Sequence, residues 1–389
     1  MTTGLSAANV FARDEPLVLE SDTGRVPRYP RSTARRALLR VALGAVYAVF
    51  ALGYQVAVAG DWAGTANQAL SERVSGFAPG SDPIQALVLL DPPITNFLAF
   101  VIPGGAFGLA IAGSFVAGYI VQTVAQALYR RGLTLPVRSL FVGVLATSPL
   151  FAFTATTNFE AIVGLMFFGF GMIALVRFVG WANTQAGFRA GILLACASLS
   201  DSTLIFASVV AALAAVLFRQ SRQGARLANA VVAVFPTVAV YASLALLGAA
   251  FVGDPWAMIG GDFAWNGERF GSVLQNVATI PGLLFLAPMV IVSVATLALG
   301  SRAMAVLPVA LTLSIILAYT LELTPPGTAG TTFIAMLLFA VAAVPAIRGP
   351  VPSVLVCAAA VLLWIVGVLD ALDRSAVNGW LHALAGVLA

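Results

Sequence analysis

Long apolar runs recur from residue 37 to the C-terminus, and they constrain this chain more than any other feature. A helix needs about 20 apolar residues to cross roughly 30 Å of hydrocarbon, and the runs have that length. They are continuous rather than alternating, so they suit helices and not the strands of a barrel. Composition agrees. Of the 389 residues, 60% are hydrophobic and 9% charged, with a mean hydropathy of +0.98; a soluble domain carries about 25% charged residues. The expected fold class is all-α, a polytopic integral membrane protein.

The hydrophobic pattern predicts helices at 37–59, 99–128, 138–154, 159–178, 187–200, 202–218, 227–252, 277–299, 303–323, 330–347 and 351–369, about eleven spans. The segments 187–200 and 202–218 are short. They read as a broken hairpin that reaches only the outer interface, at Ser200-Asp201-Ser202. Residues 1–36 are polar, without an apolar period, and read as a disordered cytoplasmic tail. Run 37–59 reads as an uncleaved signal-anchor. A multi-span domain then fills 37–370, with outer loops at 60–98 and 253–276 and a short interfacial segment at 371–389. Within the first loop, 84–90 is too short to span and reads as an interfacial helix.

Arginines orient the chain. Arg25, Arg28, Arg31, Arg35, Arg36 and Arg40 precede or open the first run, so the N-terminus is expected in the cytoplasm and the C-terminus outside. Alternation then leaves only Arg73, Arg269 and Arg374 outside. It also puts every acid beyond the N-terminal tail on that side. Either the outer loops simply hold more polar residues, or an acidic site faces outward. All the basic residues are Arg, which suggests a high-GC genome and a bacterial inner membrane. The arginines sit at helix ends, so the basic balance is not a nucleic-acid signal.

No P-loop, dinucleotide-binding turn, zinc-spaced Cys/His set or nucleophile elbow is present. Cys196 and Cys357 lie inside apolar runs as small core residues. His382 is the single His and makes no metal or triad site by itself. Gly104-Gly105 and the glycines of 167–171 read as packing or kink sites. What remains is carboxylates. Asp61 follows the first run in GDWAGTANQAL, and Asp91 precedes Pro92-Pro93, which break a helix and fix an extended approach to the next span. Asn158 and Glu160 open the fourth run, where an acid complements the helix dipole. Asp201 lies between two apolar segments. A carboxylate is costly there unless it caps the next helix or faces water.

These residues carry a resemblance. GDWAGTANQAL, LLDPPITNFLAFVIP, SPLFAFTATTNFEAIVGLMFFGFGMIALVRF and FRAGILLACASLSDSTLIFASVVAALAAVLF resemble successive segments of the GT-C glycosyltransferases that use polyprenyl-phosphate sugars. The likeness covers about residues 38–220. It implies a GT-C-like fold and a mannosyltransferase-like activity, moving a sugar from a polyprenyl-phosphate donor to an extracytoplasmic acceptor in the cell envelope. Asp61 matches the family's first-loop Asp and would be the base, tuned by burial at the membrane edge. Asp91 would orient the acceptor or help hold a divalent cation such as Mg or Mn through oxygen ligands. Glu160 and Asp201 would line the substrate site. Arg73 and Arg269 would meet the donor phosphate, their alternative being ordinary loop solvation. Two other readings compete. One is a non-catalytic scaffold subunit with membrane-protein partners, and the other a small-molecule or lipid transporter.

Overall fold

The computed structural model describes residues 29–76, 91–130, 133–181, 184–217, 226–259, 263–300, 302–324, 329–344 and 350–388. Among them every regular element is helical. The interfacial helix expected at 84–90 and tail residues 1–28 lie outside the described residues.

The chain begins with α1 (Thr33–Ala57), a short α2 (Ala66–Ser75), α3 (Pro93–Val101) and α4 (Gly105–Arg130). The run expected at 99–128 is thus two helices. Pro103 cannot continue a helix, and Gly104 and Gly105 turn the chain at φ 94° and 58°. Pro93 starts a helix rather than blocking one, because the first helical position needs no N–H. The run at 138–154 also divides, into α5 (Leu135–Ala146) and α6 (Pro149–Thr157), bent by 49° at Ser148-Pro149. Next come α7 (Phe159–Trp181) and α8 (Thr184–Ser198). A 3-10 turn (Ser202–Leu204) leads into α9 (Ile205–Leu213). The second half holds α10 (Arg226–Phe251), α11 (Gly267–Asn276), α12 (Ile280–Ala298), α13 (Leu307–Thr320), α14 (Thr331–Ala343), α15 (Pro350–Asp373) and α16 (Ser375–Leu388).

Among the described residues, six helices are long and apolar enough to cross a membrane, seven if the bent α5–α6 pair is one span. The protein is a multi-pass membrane protein. Helices α9, α13 and α14 fall below that length. Helix α14 is buried nearly all round, from Thr331 to Ala342, so it is apolar on every face because it faces only protein. Bilayer-type surface is carried instead by α1, α10, α12 and α15, which expose Val41, Val56, Leu227, Phe235, Leu283, Val294, Val354 and Leu362.

Both ends of the described residues dock. Arg36 donates to the Pro30 and Arg31 carbonyls at 2.8 Å each, and Tyr29 stacks on Tyr129 at 4.8 Å, so order begins before the expected tail boundary. Helix α16 lies on α1 and α6 through Trp380, which is buried against Phe50 and Phe153.

Helices α1 and α4 cross at two glycines. A Cβ on Gly118 would lie 2.5 Å from both the Arg40 carbonyl oxygen and the Gly44 nitrogen. This is the close approach that small residues permit between membrane helices. Replacing Gly118 by Val therefore forces backbone apart and is expected to cost about 2 kcal/mol or more. Thermal unfolding in detergent measures it. Gly143→Ala, where nothing lies within 4 Å of the added carbon, is the control expected to be silent.

Candidate functional site

Four of the acids and arginines singled out from the sequence, Arg73, Asp91, Glu160 and Asp201, come together, while Asp61 and Arg269 lie outside the cluster. Arg73, near the end of α2, sends Nη1 to the Glu160 Oε1 at 2.7 Å, to the Asn96 Oδ1 at 3.2 Å and to the Asp91 carbonyl at 3.5 Å. Glu160 is 2% exposed, in the first turn of α7. Both residues open the helix as expected: Glu160 stands in its first turn, and the Asn158 Oδ1 accepts from the Ala161 N–H. Asp91 and Asp201 both lie within electrostatic range of Glu160. Glu160 thus holds the Arg73 guanidinium directly, and Asp91 feels its charge.

Backbone geometry builds this cluster from distant segments. Asn67 on α2 is fully buried. It donates to the Thr156 carbonyl at 3.0 Å and accepts from the Phe159 N–H at 2.7 Å, pinning α2 to the α6–α7 junction. The Ile94 N–H bonds the Leu199 carbonyl at 3.1 Å, and the Thr95 hydroxyl bonds the Ser200 carbonyl at 2.9 Å. These ties bring Asp91 to the α8–α9 turn. There the Asp201 Oδ1 accepts from the Thr203 N–H at 2.9 Å, the capping role expected for it. Gly164 makes room: a Cβ on it would meet the Asp201 Cβ at 2.8 Å.

Burial pushes the partly buried Asp91 carboxyl up to about 6, although the Arg73 charge pulls it down. Asp61 stands apart. It is exposed, and its Oδ1 accepts from the Ala63 N–H at 3.0 Å in a tight turn. The membrane-edge burial expected to tune it is not found. About 10 Å of helix α2 separates its end of the loop from Arg73, at 1.5 Å per residue. Trp62 beside it is buried against Tyr54 and Phe107, so this end of the loop is anchored by an indole rather than by a second acid.

A cavity of about 840 Å³ opens on the other side of the Asp201 turn, between α11, α12, α13, α14 and α15. Thr203 forms part of its lining and links it to the carboxylate cluster. Phe285, Leu286, Ile315, Ile316 and Phe333 supply apolar wall. Two arginines mark its charged rim. Arg374 holds Asp370 through Nε, 3.0 Å from each carboxylate oxygen. Arg269 bonds the Tyr319 carbonyl at 3.2 Å through Nη1, lies over the Tyr319 ring at 5.2 Å and approaches Glu322 at 3.8 Å. Sequence reading missed Arg374, Thr203 and Tyr319 as site residues. Only the gathering of helix ends reveals them.

Among the described residues, no group of three or more His, Cys, Asp or Glu side chains is arranged to hold a metal ion. The chain matches no protein-family model, no curated protein and no solved structure.

Two stability measurements test the cluster. Arg73→Met leaves Glu160 buried without its charge partner and is expected to cost about 3–5 kcal/mol; adding Glu160→Leu should recover most of that. The second concerns pH. Asp91 binds its proton more tightly folded, at about 6, than its ordinary 3.8. Its contribution to stability is complete below the ordinary value and is lost as pH rises through about 6. Asp91→Asn should therefore raise the melting temperature relative to wild type at about pH 8 and lose that advantage at about pH 4.

Proposed function

We propose that the protein is a membrane glycosyltransferase that moves a sugar from a polyprenyl-phosphate donor to an extracytoplasmic acceptor of the cell envelope. The observation that carries this reading is the cavity of about 840 Å³, whose apolar walls, arginine rim and acid-linked floor lie within one opening. A polyprenyl phosphate has a matching order of parts: an apolar tail, an anionic phosphate and a polar sugar. In this reading the tail follows Phe285, Leu286 and Ile316, and the phosphate meets Arg269. That guanidinium is only loosely engaged by Glu322 at 3.8 Å, and its Nη2 has no bond to a described residue.

Chemistry follows from the cluster. The acceptor oxygen attacks the anomeric carbon and forms the new glycosidic bond. The bond from that carbon to the phosphate oxygen breaks, and polyprenyl phosphate leaves with the electron pair. Asp91 takes the hydroxyl proton, because a carboxyl held near 6 is ionised at neutral pH yet basic enough to accept. Asp61 is exposed and lies outside the cluster. Arg73 and Glu160 hold the cluster in place and are not expected to touch the donor. The same reading takes all eleven apolar segments as crossing or entering a bacterial inner membrane, with the cluster on the outer side.

The test is transfer of labelled sugar from polyprenyl-phosphate-mannose to envelope acceptors by the purified protein in lipid nanodiscs. Asp91→Asn is expected to lower kcat by about 10²-fold or more, and the wild-type rate to fall as pH drops below about 6. Asp61→Asn should stay within a few-fold of wild type. Arg269→Ala should raise the KM for the donor about tenfold. Unchanged envelope glycans in a strain lacking the protein would overturn the reading.

A further inference from the structure

Helix α7 carries the carboxylate cluster at one end and an arginine at the other. The half-buried Arg177 lies about 25 Å along the helix from Glu160, at about 1.5 Å per residue. That is nearly the thickness of the hydrocarbon layer, so Arg177 reaches the opposite membrane face. Helix α8 packs back against α7 and brings the exposed Arg189 to the same place. Close backbone contact fixes the register. A Cβ on Gly187 would lie 2.7 Å from the Phe178 ring, and one on Gly171 would lie 2.9 Å from the Leu194 side chain. Arg177 and Arg189 flank the first of these contacts, and each lies within electrostatic range of the other.

Two guanidiniums held this way repel each other. Neither makes a hydrogen bond, an ion pair or a cation–π contact with a described residue. No carboxylate is near to balance them. Helix α8 contains no Asp or Glu, and neither do α4, α9, α10 and α14, which pack against the pair of helices. Arginine stays protonated at any working pH, so the repulsion is not relieved by losing a proton. The remaining relief is an anion that meets both side chains. A phosphate suits them, because each guanidinium presents a fork of N–H donors.

The surface beside the arginines says which phosphate. Gln185, Phe188, Arg189 and Ile192 are exposed, and their spacing puts them on one face of α8. Phe188 is 57% exposed and Ile192 40%, so the stripe runs from a cation onto bare apolar side chains. Leu227, Val231 and Phe235 extend the apolar surface on α10. That helix crosses α8 where a Cβ on Gly191 would lie 2.7 Å from the Pro236 ring. A free phosphate ion would use the cations and leave the stripe bare. A phospholipid joins a phosphate to acyl chains and uses both. We propose that Arg177 and Arg189 form a headgroup site for an anionic glycerophospholipid, whose acyl chains lie on the α8 stripe and the adjoining face of α10. The site stands at the membrane face opposite the carboxylates and does not depend on the transferase reading.

Lipid titration tests this. The probes are phosphatidylglycerol and phosphatidylcholine of the same acyl chains, added to the purified full chain in uncharged detergent. Wild type is expected to bind phosphatidylglycerol about tenfold more tightly, the order that two arginines add at an anionic headgroup. Arg177→Gln/Arg189→Gln should abolish that preference and leave phosphatidylcholine affinity unchanged. Arg35→Gln, which removes a charge from an exposed position on α1, should leave the preference intact. Thermal unfolding adds a test of sign. In phosphatidylcholine nanodiscs Arg189→Gln ends the repulsion, so its melting temperature should equal or exceed that of wild type. In phosphatidylglycerol nanodiscs it should fall below wild type, because the bound lipid is lost. A double-glutamine variant that folds and keeps the preference overturns the site. So does equal binding of both lipids by wild type. A loss in Arg35→Gln as large as in the double variant overturns it too, since the effect is then one of overall charge. Glycerol phosphate that binds as tightly as phosphatidylglycerol overturns the choice of a lipid.

Discussion

The geometry of the site end depends on a carboxylate that cannot be left alone. Glu160 is buried at the start of α7, and the 2.7 Å bond from Arg73 is what makes that burial tolerable. Removing a charge from water is expensive, and the expense is offset only by a well-placed partner with further hydrogen bonds. Arg73 must therefore arrive at one position. Helix α2 brings it there, because Asn67 ties that helix to the α6–α7 junction. Within a bilayer, apolar contact between helices provides little net drive, since lipid chains are as apolar as leucine. Polar ties then decide where helix ends sit. The bonds from Ile94 and Thr95 to the Leu199 and Ser200 carbonyls do the same for the Asp91 loop. The acidic cluster is thus built into the packing of this end.

Elsewhere the bundle relies on close packing. The α1–α4 crossing at Gly44 and Gly118 is a backbone approach, and α14 is a core rod wrapped by α4, α7, α12 and α13. This division has a consequence for span counting. An apolar run read from sequence shows that a segment avoids water, not that it meets lipid. Helix α14 avoids water because protein surrounds it, while α10 and α12 carry exposed valine and leucine. The all-helical class and most helix positions were legible in the runs. The number of crossings was not, because burial in protein and burial in lipid leave the same composition.

The candidate site was legible in pieces. Arg73, Asp91, Glu160 and Asp201 stood out because charges are rare in this chain and each sits at the edge of an apolar run. That they meet was not legible. Arg73 and Glu160 are 87 residues apart, and nothing local in either sequence names the other. The breaks at Pro103 to Gly105 and Ser148-Pro149 were present in the sequence as Pro and Gly signals, yet the surrounding hydrophobicity concealed them.

Asp61 shows that following the first span directly does not bring an acid into the buried cluster. Following the first span directly, it looked like the acid best placed for catalysis. Its neighbour Trp62 turned inward against Tyr54 and Phe107, leaving the carboxylate to close a turn through Ala63 in the open. A carboxylate gains catalytic use from what surrounds it: desolvation that holds its proton affinity near working pH, and a partner charge that keeps it ionised. Asp91 has both, from its burial and from Arg73. The two acids lie in the segments that flank α2, and that helix separates an acid that serves the turn from one that serves the cluster.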